Sequence, residues 1–415
     1  MRKLTLLLIL QFCSLLAAQR TELDNPLNLE LYRQFRNFIF RTVGNRDGNR
    51  RIDSEPPSNI QAEIPPSVPF PCNVTGGRSS RVPTSVHRLR PGDIDVIAGM
   101  GDSLTAGYGM FANSVFELIL ENRGASASSG GQGTWRTYVT LPNILKEYNP
   151  NLIGYAQGTS YTSHSASQLN VAEIGAMSRD MPYMAHYLID RMKKDPRIDM
   201  KNHWKLVSLM IGCNDICSNV CSVPSPWSIV EEHKADIIKT LEILRDNLPR
   251  TLVILILPPH LSALVNAQQG RDSLRCYLFT TTACPCLIAL QHRPLRQLYY
   301  EINRRWQKLE EEVADYPEFH RDDFTVVTLP ALTRVTIPLL EDGYADLSYL
   351  SYDCFHVSQK TNALYGNSLW NNLVEPYGNK TDHWVSITEK FLCPTPEKPF
   401  LMTRENSRRN SEVSP

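Results

Sequence analysis

Short, nearly continuous apolar runs recur along the chain at Ile94–Met100, Lys205–Ile211, Thr251–Leu257 and Phe324–Pro330. Each is too short for a typical helix and ends in glycine, proline or a polar turn, so each predicts a strand buried on both faces. Between the runs the period changes. Trp227 to Asn247 and Arg293 to Ala314 read as helices, and in the second Leu298, Ile302, Trp306 and Leu309 share one face. That stripe predicts packing against a core. Buried strands alternating with helices predict an α/β fold built on a parallel sheet.

The ends of the chain follow other patterns. Arg2-Lys3, the apolar run Leu4–Leu10 and the small residues up to Ala18 predict a cleaved secretory leader over residues 1–18. The apolar run is shorter than a membrane span requires. Residues 19–70 read as an N-terminal extension. Leu29 to Val43 has helical spacing, Arg46-Asp47-Gly48-Asn49 breaks it, and Pro56-Pro57, Pro65-Pro66 and Pro69-Pro71 predict extended linker. Asp47-Gly48-Asn49 lacks the spaced acidic ligands of a calcium loop and predicts a turn. Residues 71–400 form the expected catalytic domain, and 401–415 a polar tail without a lipid-anchor signal.

Composition narrows the function classes. An apolar content of 42% is ample for a sizeable core, and Lys+Arg equals Asp+Glu at 43 each. A neutral chain gives no electrostatic case for nucleic acid, nor is there a polybasic segment for strong attraction to anionic membranes.

Candidate chemistry sits where strands end. The first run leads into Gly101-Asp102-Ser103-Leu104, which puts a serine at the carboxyl end of a buried strand, where open α/β sheets keep reactive groups. Taken alone, that tetrapeptide also fits a polar turn. A serine nucleophile needs a base, a group that orients the base, and donors for the oxyanion. Asp353-Cys354-Phe355-His356 presents a carboxylate and an imidazole from one turn, so His356 is the expected base and Asp353 its orienter. The second run opens into Gly212-Cys213-Asn214-Asp215, where the Asn214 side-chain N–H is a candidate oxyanion donor beside the Ser103 backbone N–H. Asn170–Ala176 contains Gly175, a third candidate donor; Gly158 is a weaker one. No Gly-x-Ser-x-Gly elbow occurs.

Gly-Asp-Ser on the first strand, Asn-x5-Gly, Gly-x-Asn-Asp and Asp-x-x-His in this order resemble the GDSL, or SGNH, hydrolase superfamily. Ser103, Gly175, Asn214 and His356 occupy its four named positions. The resemblance extends to the phospholipase B branch through Ser85–Ile94, Thr140–Leu145, Tyr148–Leu152, Trp204-Lys205-Leu206, Leu369–Pro376 and Cys393-Pro394. It covers roughly residues 70 to 400. It implies a three-layer α/β/α sandwich on a five-stranded, flavodoxin-like parallel sheet. It also implies a secreted, cofactor-free serine esterase that acts on phospholipid or lysophospholipid at a lipid–water interface. An esterase for a glyceryl, retinyl or acetylated sugar ester, or an inactive lipid-binding protein, is the alternative. Larger members carry tandem copies and a C-terminal membrane anchor. This sequence shows one motif set, and no transmembrane anchor is expected.

Export makes the cysteines disulfide candidates. Of ten, Cys13 belongs to the leader. The odd number left implies a free thiol, which the resemblance assigns to Cys213; the pairing of the others stays open. A zinc site from Cys213, Cys217 and Cys221, or from Cys284 and Cys286, is the rival reading, disfavoured by spacing; no metal is expected. Asn73-Val74-Thr75 and Asn379-Lys380-Thr381 are glycosylation sequons.

Overall fold

The computed structural model describes residues 59–268 and 273–412, together with scattered helical positions between 30 and 41. The leader and the Asp47-Gly48-Asn49 turn lie outside the described residues. The chain divides into two units, Met1–Asn45 and Arg46–Pro415. In the first, Glu30, Leu31, Gln34, Phe35, Asn37, Phe38 and Arg41 are helical, in keeping with the spacing there.

The second unit is built on β1 (Ile94–Gly101), β2 (Trp204–Met210), β3 (Thr251–Ile256), β4 (His320–Arg321) and β5 (Phe324–Leu329), in the order β1-β2-β3-β5-β4. β1, β2, β3 and β5 are parallel, with Ala98 opposite Val207, Val207 opposite Val253, and Val253 opposite Val326. Their residues are almost all buried, because helices cover both faces; that is why they read as unbroken apolar runs. Lys205 is the charged exception in β2. Its ammonium donates to the carbonyls of Met200, His203 and Pro249, so its head is satisfied while its stem stays in the core.

One detail departs from the all-parallel expectation. β4 is a two-residue antiparallel stub on β5. A further parallel edge exists beyond β1, but as bridges rather than a strand: Val96 to Ile153 and Gly99 to Asn170. Gly154 and Gln168, both at positive φ, interrupt it. Counting that edge, the parallel order is flavodoxin-like, and the chain leaves β1 to one side and returns to β2 on the other. The crevice this opens lies at the carboxyl end of β1.

The helices are α1 (Ser103–Ala106), α2 (Leu141–Tyr148), α3 (Met181–Lys194), α4 (Ser228–Asn247), α5 (Ser262–Ala267), α6 (Leu274–Ala283), α7 (Pro285–Ile288), α8 (Arg296–Ala314), α9 (Gln359–Val374) and α10 (Arg404–Glu412). On one sheet face, Val96, Val207 and Val253 pack with Leu188 of α3, Leu241 of α4 and Trp306 of α8. On the other, Ile97, Leu206 and Ile254 pack with Ile144 of α2 and Leu369 and Trp370 of α9. The result is three layers, α/β/α. The stripe Ile302, Trp306 and Leu309 is buried as its spacing predicted, with Leu298 half-buried beside it.

The packed body extends past the expected edges. Residues 59–70, read as linker, dock on it: the Ile64 N–H donates to the Arg136 carbonyl at 3.0 Å, and the Phe70 ring meets Trp135, Tyr148 and Phe391 edge-on. Leu401, Met402 and Thr403, read as the start of a polar tail, are buried, and Leu401 N–H bonds the Leu89 carbonyl. Pro56-Pro57 lies outside the described residues; at Pro65-Pro66 the chain turns, with the Val68 N–H bonded to the Pro65 carbonyl at 3.0 Å.

Candidate active site

Two adjacent strands end in the same way. Gly101 closes β1 at φ 142°, and Gly212 follows β2 at φ 126°. A Cβ at Gly101 would stand 2.3 Å from the Met210 carbonyl oxygen, and one at Gly212 would stand 2.6 Å from Trp306 Nε1. Only glycine fits either position. Each glycine lets the chain turn off the sheet, and two residues later stand Ser103 and Asn214. Asp102 caps α1 by accepting the Leu104 N–H at 3.0 Å, which fixes Ser103 at the first position of the helix.

The partner groups arrive on the loop Leu350–Val357, closed by an antiparallel bridge between those two residues. Within it the Ser351 N–H donates to the His356 carbonyl, and Asp353 Oδ1 accepts the backbone N–H groups of Phe355 and His356 at 3.0 and 2.9 Å. One carboxylate oxygen therefore holds the turn, which frees the other for the ring. His356 Nδ1 lies 2.6 Å from Asp353 Oδ2, and His356 Nε2 lies 2.8 Å from Ser103 Oγ. The rings of Tyr108 and Phe355 flank the imidazole at 4.7 and 4.9 Å.

The electrostatics keep Asp353 ionised. Burial alone would push its carboxyl up, but the neighbouring His356 and the hydrogen bonds it accepts hold it below the ordinary carboxylate range. Asp102 behaves oppositely. Burial raises it to about 6 against the Leu104 N–H, and its Oδ2 has no hydrogen-bond partner among the described residues. Asp215 is likewise pushed up by burial, to about 7, with both oxygens 3.2 Å from the Ser178 N–H.

The expected oxyanion residues Gly175 and Asn214 belong to segments that meet beyond β1 and β2. Residues 171–173 run along β1, with Glu173 N–H bonded to the Gly101 carbonyl, and Gly175 turns just beyond it at φ 74°. The next carbonyl, Ala176, accepts one Asn214 Nδ2 hydrogen at 2.9 Å. Gly158 is tied instead to the Gly124 N–H, in a neighbouring loop. The strut behind Gly175 was not foreseen. Arg123 is fully buried and bonds Glu121, the Ser160 carbonyl, Asn170 and the Ala172 carbonyl. Asn170 in turn reaches the Thr105 carbonyl of α1 at 2.8 Å.

Ser103 and Asn214 open into a cleft of about 840 Å³, counting its mouth. Its walls are mostly apolar: Leu261, Leu264, Val335, Ile337, Leu350 and Trp384. His260, just after β3, lies on the lining. Among the described residues Cys213 is the unpaired cysteine, buried on the cleft lining, and burial pushes its thiol well above the usual range. The other eight form Cys72–Cys393, Cys217–Cys284, Cys221–Cys286 and Cys276–Cys354, which removes the thiolates a zinc site would need. Asn73 and Asn379 are both exposed.

Comparison with known proteins places the chain. The model of the GDSL-like lipase/acylhydrolase family matches residues 97–391. The chain belongs to that family. Human membrane-associated phospholipase B1 is 40% identical over 336 residues, covering 80% of this chain and 22% of that protein. The rat protein of the same name is 39% identical over 333 residues, with the same coverage. The chain thus spans about a fifth of the length of these curated relatives. Among solved structures, phospholipase A1 from Streptomyces albidoflavus NA297 is similar at 16% identity and a TM-score of 0.27, covering 53% of this chain and 75% of that one.

Proposed function

We propose that this GDSL-family chain is a serine ester hydrolase that removes fatty acyl groups from phospholipids and lysophospholipids. The observation that carries the reading is the continuous Ser103–His356–Asp353 hydrogen-bond chain set at an apolar cleft that also holds Asn214. Ser103 Oγ attacks the acyl carbonyl while His356 Nε2 takes its proton. Asp353 holds the proton on Nδ1 and stabilises the imidazolium. The carbonyl oxygen, now negative, is met by the Asn214 amide and the backbone N–H groups of Ser103 and Gly175. His356 returns its proton to the departing lyso-lipid alkoxide, which leaves Ser103 acylated. Water, deprotonated by His356, then attacks the acyl-enzyme, and the fatty acid leaves as Ser103 Oγ regains its proton.

The lipid substrate is supported by the apolar walls and by the phospholipase B1 relatives. Export is supported by the disulfides and by exposed Asn73 and Asn379, the proposed glycan sites. Residues 71–400 are the proposed catalytic domain. The test is turnover of a panel of phospholipid, lysophospholipid, triglyceride and acetylated-xylan substrates by the purified chain. Release of fatty acid from the phospholipids is expected. Hydrolysis confined to acetylated sugar would overturn the lipid assignment.

A further inference from the structure

Residues 273–296 form a cap on the body: α6, α7 and the turn of 3-10 helix over Leu290–Leu295 that leads into α8. Disulfides bind this cap to both loops that carry the candidate chemistry. Cys276 of α6 is joined to Cys354, between Asp353 and His356. Cys284 and Cys286 are joined to Cys217 and Cys221, in the turn that follows Asn214. Arg275 lies over the Tyr352 ring at 4.3 Å, and Gln268 Nε2 donates to the Cys354 carbonyl at 3.1 Å.

The outer surface of the cap is apolar where a free protein surface would be polar. Leu274, Tyr277 and Leu278 stand one turn apart on α6 at 71%, 42% and 55% exposure, and Leu290 and Leu295 follow at 60% and 45%. Exposed side chains grouped in this way mark an interaction surface. The charge pattern says with what. Residues 273–296 contain Arg275, Arg293 and Arg296 and not one aspartate or glutamate. Arg275 and Arg293 are exposed beside these apolar side chains, and an apolar helix face with cations among it suits the boundary between acyl chains and phosphate head groups.

We propose that this cap is the surface by which the chain docks on aggregated phospholipid, tied by its disulfides to the loops beside the cleft. The inference rests on the phospholipase reading. Leu274, Tyr277 and Leu278 enter the acyl boundary, exposed Arg293 meets phosphate, and the disulfides hold the docked cap to the Asp353–His356 loop and the Asn214 turn.

The experiment pairs binding with two assays. Leu274→Ser/Leu278→Ser and Arg293→Gln are made in the full chain. Binding is measured on a Ser103→Ala background by co-flotation with phosphatidylcholine–phosphatidylserine vesicles. Activity is measured on the same vesicles and on a monomeric short-chain nitrophenyl ester. The leucine pair is expected to lose roughly tenfold or more in vesicle affinity and a similar factor in vesicle hydrolysis, with soluble-ester turnover unchanged. Arg293→Gln should weaken binding only when phosphatidylserine is present. Vesicle binding equal to the parent's would overturn the proposal. So would a parallel loss of soluble-ester turnover, which would make the cap a mere support for the loops. Failure of the parent to cleave any phospholipid while it still cleaves the soluble ester would strike the phospholipase reading instead, and binding would still report on the cap.

Discussion

Asp353→Asn is a substitution whose effect the loop geometry dictates. Asp353 Oδ1 accepts two backbone N–H groups, from Phe355 and His356. An asparagine has one oxygen, and those donors require it to stay there. Its NH2 must then face His356 Nδ1, at the 2.6 Å position where Oδ2 now sits. An amide N–H donates, so Nδ1 becomes the acceptor and the ring proton moves to Nε2, which faces Ser103. A ring in that tautomer cannot take the serine proton. The same exchange in a serine protease triad costs about 10⁴ in kcat, or about 5.4 kcal/mol of barrier. The loop itself should survive, since both backbone bonds remain. Stability carries a second signature. A carboxyl held below its ordinary range stabilises the fold above its unfolded pKa and loses that contribution as pH falls through its folded value. The stability gap between parent and variant should therefore close on acidification. The assay is kcat on a soluble ester beside urea unfolding across pH. Near-parental kcat in a folded variant would refute the assigned role of Asp353.

Other consequences are open to measurement. Asn214→Ala should lower kcat by roughly 10²–10³ with little change in KM, because the donor acts where charge develops; a pure KM effect would put Asn214 in ground-state binding. Asp102→Asn should retain the cap on α1 and remove a buried carboxyl raised from 3.8 to about 6. The native state holds that proton between the two values while the unfolded chain has lost it, so the parent loses stability as pH rises through this window. The variant should gain up to about 3 kcal/mol above pH ~6 and nothing below pH ~4, read by unfolding at each pH; a loss of stability at pH ~8 would contradict the burial argument.

The parallel strands were legible because each is buried on both faces and hence unbroken in sequence. β1 and β5 were located to within a residue, as were β2 and β3. The edge beyond β1 was not. There Ile153 and Asn170 pair with β1 through isolated bridges, and glycine and polar residues hide the period. Ser103 and Asn214 stood out as candidates because they follow strand ends, and Asp353 and His356 because one turn presents both; the structure brings Ser103, His356 and Asp353 together. What supports them was not visible. Arg123 stands in Glu-Asn-Arg-Gly, which reads as an exposed turn, yet apart from Glu121 its partners lie tens of residues downstream. The Tyr108 ring meets His356 only through tertiary folding. Disulfide pairing is likewise a property of the fold, since each bridge here joins segments at least 65 residues apart.

The central claim is that Ser103 is a nucleophile activated by His356. The direct test is covalent labelling with a fluorophosphonate ester, followed by mass spectrometry of the digested protein. The account predicts one adduct, on Ser103, lost in Ser103→Ala and strongly slowed in His356→Ala. An adduct on another serine, or labelling that persists in Ser103→Ala, would contradict it.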